Sequence, residues 1–242
     1  MKRLLLYSSA FVAILGLQVA NLSWRAITTS AVDVKALIAS VPPPPAPGSP
    51  EDRTDLDAVL LAQSTRTPAQ VEFSQHAAGH SVFTFAQPVL GSWFSPENLP
   101  VTAELFAQLD GITNEVIQNS KKKWKRPRPY ERSDKVEPVV YLPGNPSYPS
   151  GHSAMAAMWG DILGELIPSQ REAFRKEVEG SMRARVVGGV HFPSDTIAGD
   201  ELGRRIASAL MDSADVQAQL QAARAELIAC LLSQPAVATA AP

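Results

Sequence analysis

Apolar residues recur at intervals of three and four along most of the chain, the spacing that places them on one face of an α helix. Alternating apolar and polar runs, which half-buried strands need, are few. The clearest apolar stripes are Leu105, Leu109, Ile112 and Val116; Met155, Met158, Ile162 and Leu166; and Val216, Leu220, Ala223 and Leu227. The pattern predicts an all-α protein with these stripes in its core.

Segments rich in proline and glycine interrupt this helical pattern. Residues 41–50 contain six prolines and are predicted to be extended, because consecutive prolines lack amide donors. A second break, residues 127–151, is long for a loop inside a domain, and such loops are often functional. The predicted organisation is a Pro-rich extended lead-in over residues 32–55, one helical domain over residues 56–232 and a disordered tail over residues 233–242.

The first residues have the pattern of an export segment. Met1-Lys2-Arg3 is followed by residues 4–22, which contain no charged side chain. Residues 1–31 are therefore predicted to be a signal peptide. They would act as an N-terminal membrane anchor if retained, because 19 mostly apolar residues approach the length of a bilayer span. The predicted location is periplasmic or secreted, or membrane-anchored if the segment is kept.

Length and charge narrow the classes of function. A chain of 242 residues is long enough for one well-buried core. The formal net charge of −2 gives no indication of a nucleic-acid partner. The single cysteine, Cys230, excludes an intrachain disulfide, so packing must stabilise the fold.

Two ionisable residues fall where the apolar spacing predicts core. Arg185 lies three residues after Met182 on one helix, and Asp195 lies three residues before Ala198 on the next. Buried charges need partners, so one interpretation is a structural Arg185–Asp195 ion pair. His191 lies between them, however, and a histidine between an anion-binding arginine and an orienting carboxylate is also the arrangement of a nucleophile or a base. In that interpretation Asp195 fixes the tautomer of the ring.

A second candidate segment, Ser150-Gly151-His152, immediately precedes the helix of the Met155 stripe. The backbone amides at a helix N-terminus attract anions, and glycine lets a ligand approach closely. Ser150 is predicted to cap this helix and can contact phosphate as well. His152 gains significance only from these neighbours, since an isolated histidine is more often a surface or core residue.

A third candidate lies in residues 121–128, where six of eight residues are basic. Most side chains of such a run are expected to be solvated. Lys121, at the end of the Leu105 helix, and Arg128, held between two prolines, are the predicted exceptions. The planar guanidinium of Arg128 can donate hydrogen bonds to two phosphate oxygens at once, and Lys121 supplies a point charge.

Together, the three segments resemble the signature of the type-2 phosphatidic acid phosphatase superfamily. They are Lys121-x6-Arg128-Pro129, Pro149-Ser150-Gly151-His152 and Arg185-x5-His191-x3-Asp195. The tract from Pro42 to Ser49 and the stretch from Ser147 to His152 are similar to segments of bacterial class A non-specific acid phosphatases. The resemblance covers roughly residues 40–230. It implies a single-domain, all-α helical bundle of the acid phosphatase/vanadium haloperoxidase type.

The resemblance implies a phosphatase that needs no metal or other cofactor. His191 would attack phosphorus and form a phosphohistidine, Asp195 would orient its ring, and His152 would protonate the leaving alcohol and then activate water. The residues implied to hold the phosphate oxygens are Lys121, Arg128, Ser150, Gly151 and Arg185. Vanadate, which mimics the phosphoryl transition state, is expected to inhibit.

The expected substrates are small phosphomonoesters such as nucleotides and sugar phosphates, and the expected assembly is a homo-oligomer. Membrane contact is expected only through residues 4–22, if this segment is not cleaved. Ala184 departs from the family pattern, which usually has serine there, so weaker phosphate binding is expected. His76 and His80 match no family motif and are interpreted as surface or packing residues.

Other functions are compatible with the same residues. Vanadate-dependent haloperoxidases share this constellation, although the chain is short for one. Membrane lipid or diphosphate phosphatases share it too, but their catalytic helices lie in the bilayer, and here the catalytic segments are too polar. A phosphate-binding module with an inactive site is the alternative that is not an enzyme.

Overall fold

A computed structural model describes residues 26–79 and 81–233 of the chain. The export segment predicted over residues 4–22, nearly all of the tail predicted over residues 233–242, and His80 lie outside the described residues. Within the described part, no helix is both long and apolar enough to cross a membrane.

The described residues form ten α helices and two short 3₁₀ turns and contain no β strand, which confirms the all-α prediction. The helices are α1 (Val34–Ala39), α2 (Pro50–Thr65), α3 (Pro68–His76), α4 (Val82–Leu90), α5 (Pro100–Trp124), α6 (Pro129–Arg132), α7 (Gly151–Leu166), α8 (Arg171–Val187), α9 (Pro193–Met211) and α10 (Ala214–Ser233). The 3₁₀ turns are Thr29–Ala31 and Pro168–Gln170.

Capping side chains and prolines set where several helices begin. Thr67 and Gln70 form a reciprocal capping box at the start of α3, and Ser81 and Thr84 form one at α4. Proline is the first residue of α2, α3, α5 and α9, a position where the amide donor it lacks has no partner within the helix. Helix α5 ends at Trp124, and the φ of 48° at the next residue, Lys125, lies in the left-handed region.

The Pro-rich segment before the domain differs from the predicted extended lead-in. Residues 42–46 are non-helical, as their prolines require, but α1 precedes them. Helix α2 already begins at Pro50, six residues before the predicted domain start, because Ser49 caps it and proline suits its first position. The Tyr148 hydroxyl donates to the Pro42 carbonyl at 2.9 Å. The tract therefore packs against the domain and is not a free linker.

Helix α7 packs against α5, α8 and α9. The backbones of α7 and α9 lie close together, which glycine permits because it has no Cβ atom. A Cβ atom added at Gly199 would collide with the carbonyl oxygen of Ser150. One added at Gly203 would collide with the carbonyl oxygen of Ala154. The Ser150 amide also donates to the Asp195 carbonyl at 2.9 Å. The N-terminal ends of α7 and α9 are therefore held together.

The apolar stripes predicted from the sequence form the core. All four residues of the Leu105 stripe and all four of the Val216 stripe are buried. The Met155 stripe is buried as well, apart from Met155 itself, which is half-buried. These residues belong to one continuous apolar cluster, as expected of a single core.

Candidate active site

His191 lies buried in the connection between α8 and α9, and Asp195 is the third residue of α9. Oδ2 of Asp195 lies 3.3 Å from Nδ1 of His191 and accepts the Phe192 amide at 2.9 Å. On the other side of the ring, Nη1 of Arg128 lies 3.2 Å from Nε2. Because a carboxylate only accepts and a guanidinium only donates, Nδ1 carries the proton and Nε2 presents its lone pair.

The surroundings of His191 keep its ring neutral. Burial lowers the pKa of His191 well below its ordinary value, and the positive charges of Lys121, Arg128 and Arg185 lower this pKa further. Both effects favour the neutral ring over the protonated one. A neutral ring nitrogen is what nucleophilic attack requires.

Ser147 adjoins this pair, and the sequence did not mark it as a site residue. Its buried hydroxyl donates to Oδ2 of Asp195 and lies 3.3 Å from Nδ1 of His191. The hydroxyl is thus a further donor to the carboxylate beside the ring. A loop residue has no periodicity, so its only sequence signal is its place at the start of the Ser147 to His152 stretch.

Arg126 was expected to be solvated within the basic run, and that prediction is wrong. The side chain is buried, and its guanidinium donates to Asp195 at 2.7 Å, to Asp55 at 2.8 Å and to Asp52 at 3.2 Å. The arginine partner of Asp195 is therefore Arg126. The alternative of a structural Arg185–Asp195 ion pair is wrong for the same reason.

Two acidic residues of α2 connect that helix to α6 and to the start of α9. Asp52 accepts two hydrogen bonds from the Arg132 guanidinium, each at 2.8 Å. Asp55 accepts the Ser194 amide at 3.1 Å. Both carboxylates are buried, so each needs these partners. The segment that sequence patterns placed outside the helical domain thus supplies part of the support for the site.

Asp52→Asn is expected to lower the free energy of unfolding at about pH 6 by about 3 kcal/mol, because it removes a carboxylate that pairs with buried arginine. Hydrogen bonds from Arg132, the Gly48 amide and Arg126 hold the pKa of Asp52 well below its ordinary value. Its stabilisation is therefore present above the unfolded pKa of about 4 and is lost as the pH falls through the lower folded value.

Urea unfolding at about pH 6 and about pH 3 tests this expectation, because the difference between wild type and Asp52→Asn should narrow in acid. Asp57→Asn, at an exposed position of the same helix, is the matched control. If Asp52→Asn lowers the free energy of unfolding by the same amount at both pH values, charge pairing is not the cause of the loss.

Arg128 and Lys121 are buried, as predicted, and both bind uncharged acceptors. Arg128 donates from Nη1 to the Val190 carbonyl at 2.7 Å and from Nε to the Asn145 carbonyl at 2.8 Å. Nζ of Lys121 donates to the Pro146 carbonyl at 2.6 Å. Burial lowers the pKa of Lys121 to about 7, and the charge of Arg128 contributes. The side chains of Arg128 and Lys121 are thus held beside His191 by backbone carbonyl groups, which leave their positive charges unneutralised.

Arg185 lies near the end of α8 and is almost fully buried. Among the described residues, no group forms a hydrogen bond with its Nε or Nη1. Burial and the charge of Arg128 lower the pKa of Arg185 to about 10, so the side chain is still charged at neutral pH. A buried guanidinium without acceptors is unfavourable, and an oxyanion with several oxygens would supply them.

The segment Ser150-Gly151-His152 begins α7. Ser150 is the predicted cap, and its Oγ accepts the Ser153 amide at 3.4 Å. Gly151 is the first residue of the helix, so the backbone amides of the first turn lie at this end. Nε2 of the half-buried His152 donates to the Ala78 carbonyl at 3.3 Å, because a carbonyl can only accept.

A pocket of about 290 Å³ lies between α5 and α7. The site residues predicted from the sequence that line it are Lys121, Arg128, Gly151, His152 and His191. Of the other three, Ser150 and Asp195 are buried at the adjoining helix ends, and the charge of Arg185 acts on His191. A larger groove of about 890 Å³ contains none of these eight residues, and Ala184 lines that groove. The pocket therefore combines a neutral histidine with cationic groups suited to an oxyanion.

Comparison with known proteins assigns this arrangement to a family. The family model of the PAP2 superfamily matches residues 101–216, which include all eight predicted site residues. The acid phosphatase of Zymomonas mobilis is 30% identical over 196 residues, covering 76% of this chain and 73% of that protein. The chain belongs to the PAP2 superfamily. The non-specific acid phosphatase of Salmonella typhimurium is 28% identical over 171 residues, covering 67% of this chain and 68% of that protein.

Solved structures show the fold of this PAP2 protein in another enzyme. The crystal structure of the first bacterial vanadium-dependent iodoperoxidase superposes with a TM-score of 0.59 at 16% identity. The alignment covers 77% of this chain and 54% of that one. This likeness confirms the predicted all-α fold type, and at such low identity it says nothing about the reaction.

Proposed function

We propose that this PAP2 protein is an acid phosphatase that hydrolyses phosphate monoesters through a phosphohistidine at His191, without a metal ion. The observation that carries the proposal is the neutral Nε2 of His191 beside three buried cationic side chains. One of these, Arg185, has Nε and Nη1 without acceptors among the described residues. Its superfamily and its similarity to acid phosphatases support the same reaction.

Substrate binding places the phosphoryl group between Nε2 of His191 and the N-terminus of α7. Arg185 and Arg128 donate to its oxygens, and Lys121 adds a positive charge. The backbone amides at Gly151 donate further hydrogen bonds to the same oxygens. In phosphoryl transfer, catalysis depends mainly on positioning and on stabilising charge on the equatorial oxygens. The cationic groups are already fixed by the protein, so little reorganisation is needed.

In the first step, Nη1 of Arg128 exchanges its contact with Nε2 of His191 for a phosphoryl oxygen. The freed Nε2 lone pair attacks phosphorus, and the bond from phosphorus to the ester oxygen breaks. His152, whose Nε2–H is bound to the Ala78 carbonyl, gives the proton of its other ring nitrogen, Nδ1, to the departing oxygen, so an alcohol leaves. The ring of His191 is then positively charged, and Asp195, bonded to Nδ1–H, stabilises this charge. Arg126 and Ser147 hold that carboxylate in place.

In the second step, water attacks the phosphohistidine while His152 takes up the proton of that water. The phosphorus–nitrogen bond breaks, its electron pair returns to Nε2, and phosphate leaves. His191 is again neutral and His152 is again protonated, so the enzyme is ready for another cycle.

The proposals on the location of the enzyme and on its substrates are based on the sequence. Residues 1–31 have the pattern of an export segment, so we place the enzyme in the periplasm or outside the cell. The proposed substrates are small phosphomonoesters such as nucleotides and sugar phosphates. The proposed assembly is a homo-oligomer, with membrane contact only if residues 4–22 are retained.

Hydrolysis of p-nitrophenyl phosphate by the purified protein at mildly acidic pH tests the proposed function. We expect turnover that is unaffected by a metal chelator and inhibited by vanadate. No hydrolysis would contradict the proposal. Oxidation of iodide or bromide by hydrogen peroxide that appears only with added vanadate, without phosphatase activity, would instead identify a haloperoxidase.

Lys121→Arg is expected to change how anion binding depends on pH. With a pKa of about 7, Lys121 loses its charge as the pH rises above neutrality, and anion binding should weaken there. Arginine stays charged, so the variant should bind anions more evenly between about pH 6 and pH 9. Sulfate as a competitive inhibitor measures this, because its own charge is constant over that range.

Lys122→Arg, at the exposed neighbouring position, is the control and should keep the wild-type pH dependence of sulfate inhibition. If Lys121→Arg and wild type lose sulfate affinity in parallel as the pH rises, another group controls anion binding, and the proposed role of Lys121 is wrong.

A further inference from the structure

The pocket extends well beyond the residues proposed to hold phosphate. Asp110, Asn114, Gln118 and Lys121 line it from α5, and their spacing of four, four and three places them on one helix face. Lys121 comes eleven positions after Asp110, so the Cα atoms of the two residues lie roughly 16 Å apart along the helix axis. A phosphate bound near Lys121 therefore leaves the Asp110 end of the pocket for the rest of the substrate.

The polar side chains along this wall are fixed by one another and by Arg128. Nε2 of Gln118 donates to Oδ1 of Asn114 at 3.2 Å, and Nδ2 of Asn145 donates to Oε1 of Gln118 at 3.3 Å. Oδ1 of Asn145 in turn accepts from Nη2 of Arg128 at 2.7 Å. A chain of hydrogen bonds thus runs from the phosphate end of the pocket towards Asp110 and sets the orientation of the amides.

Among the described residues, one hydrogen bond holds the carboxylate of Asp110. Its Oδ1 accepts from Nε1 of Trp159 at 2.6 Å, and the residues that the structure describes give Oδ2 no partner. Burial raises the pKa of Asp110 to about 6, which the Trp159 bond only partly opposes. An ionised Asp110 therefore lowers the stability of the fold near neutral pH. A carboxylate that lowers stability and lines a pocket is typical of a binding site.

The opposite wall of the pocket is apolar. Met155, one turn after His152 on α7, is half-buried, and it lines this wall together with Trp159 of the same helix. A substrate that fits between the two walls needs apolar surface on one side and hydrogen-bond donors on the other. Sugars and nucleosides have both kinds of surface, because their ring carbons are apolar and their hydroxyl groups donate.

We propose that Asp110, supported by Trp159 and the neighbouring Asn114, forms a leaving-group subsite that accepts hydrogen bonds from hydroxyl groups of the alcohol part of the substrate. Among phosphomonoesters, those whose leaving group has hydroxyl donors that reach Asp110 then have a higher kcat/KM than those whose leaving group has none. Leaving groups that carry a second negative charge are disfavoured by the same carboxylate. This inference rests on the proposed phosphatase function.

The test compares ribose 5-phosphate, whose leaving group has hydroxyl donors, with p-nitrophenyl phosphate, whose leaving group has none. Asp110→Asn keeps an oxygen for the Trp159 donor and removes the negative charge. At about pH 7, where Asp110 is ionised, the ratio of kcat/KM for ribose 5-phosphate to that for p-nitrophenyl phosphate should fall about tenfold. Most of the loss should be a rise in KM.

Glu104→Gln makes the same chemical change at an exposed position of α5 and should leave the ratio unaltered. Asp110→Asn should unfold at the same or a higher temperature than wild type, since it removes a charge that opposes folding. That measurement separates lost recognition from lost folding.

An unaltered ratio in folded Asp110→Asn would overturn the subsite and leave the phosphatase proposal standing. Equal losses with both substrates would also overturn it, because Asp110 would then act on the chemistry and not on the leaving group. A wild-type protein inactive on both substrates would overturn the proposed function and the subsite with it.

Discussion

His191→Ala is expected to lower kcat for p-nitrophenyl phosphate by about 10⁴-fold or more, because it removes the atom to which the phosphoryl group is transferred. The remaining cationic groups should still bind phosphate, so the inhibition constant of inorganic phosphate should change much less than kcat. Steady-state kinetics with phosphate as a competitive inhibitor of the residual activity, or direct calorimetric titration, measures both quantities.

His76→Ala is the matched control for this variant, since His76 is exposed on α3 and outside the pocket between α5 and α7. It should keep wild-type kcat. If His191→Ala retains most of the activity while its circular dichroism and unfolding midpoint match those of wild type, His191 is not the nucleophile.

Arg185→Met is expected to separate activity from stability. It should lower kcat/KM by about 10²- to 10³-fold, because it removes a fixed donor to the transferred phosphoryl group. The free energy of unfolding should stay the same or rise, since Arg185 is a buried charge whose Nε and Nη1 have no acceptors among the described residues. Kinetics and urea unfolding of the same preparation provide the two measurements.

Arg183→Met, at an exposed position two residues earlier on α8, is the control. Its contact with Glu179 is 3.8 Å long and on the surface, so neither activity nor stability should change appreciably. A loss of stability in Arg185→Met that accompanies the loss of activity would mean that Arg185 is a structural residue.

Much of the fold could be predicted from the sequence because its signals are local. The apolar stripes of α5, α7 and α10 follow helical spacing, and their residues are buried as expected. Arg185 and Asp195 could be placed facing the core because they continue such stripes. Ser150 could be recognised as a cap because capping involves neighbours within one turn.

The support for Asp195 could not be predicted, because it joins distant parts of the chain. Arg126 lies 69 residues before Asp195 and more than 70 residues after Asp52 and Asp55. In the sequence, Arg126 is one of six basic residues in a run, and such runs are usually solvated. Only the folded chain shows that this arginine turns inward to meet three carboxylates.

The pocket wall could not be predicted either, because it too depends on contacts between distant parts of the chain. Asp110 directly follows Leu109 of the Leu105 stripe and belongs to no motif, so no sequence signal distinguishes it from other acidic residues. Its significance depends on Trp159 of α7, which is 49 residues away and donates to its carboxylate. Packing of α5 against α7 creates this contact and the pocket together.

Rapid acid-free quenching of the enzyme during turnover of ³²P-labelled p-nitrophenyl phosphate tests the central proposal most directly. We expect covalent label on the wild-type protein, stable in alkali and released by acid, as for a phosphorus–nitrogen bond, and located in the peptide that contains His191. The label should be absent from His191→Ala and present in His76→Ala. Efficient hydrolysis by a wild-type enzyme that never carries this label, or label that persists in His191→Ala, would contradict the phosphohistidine mechanism.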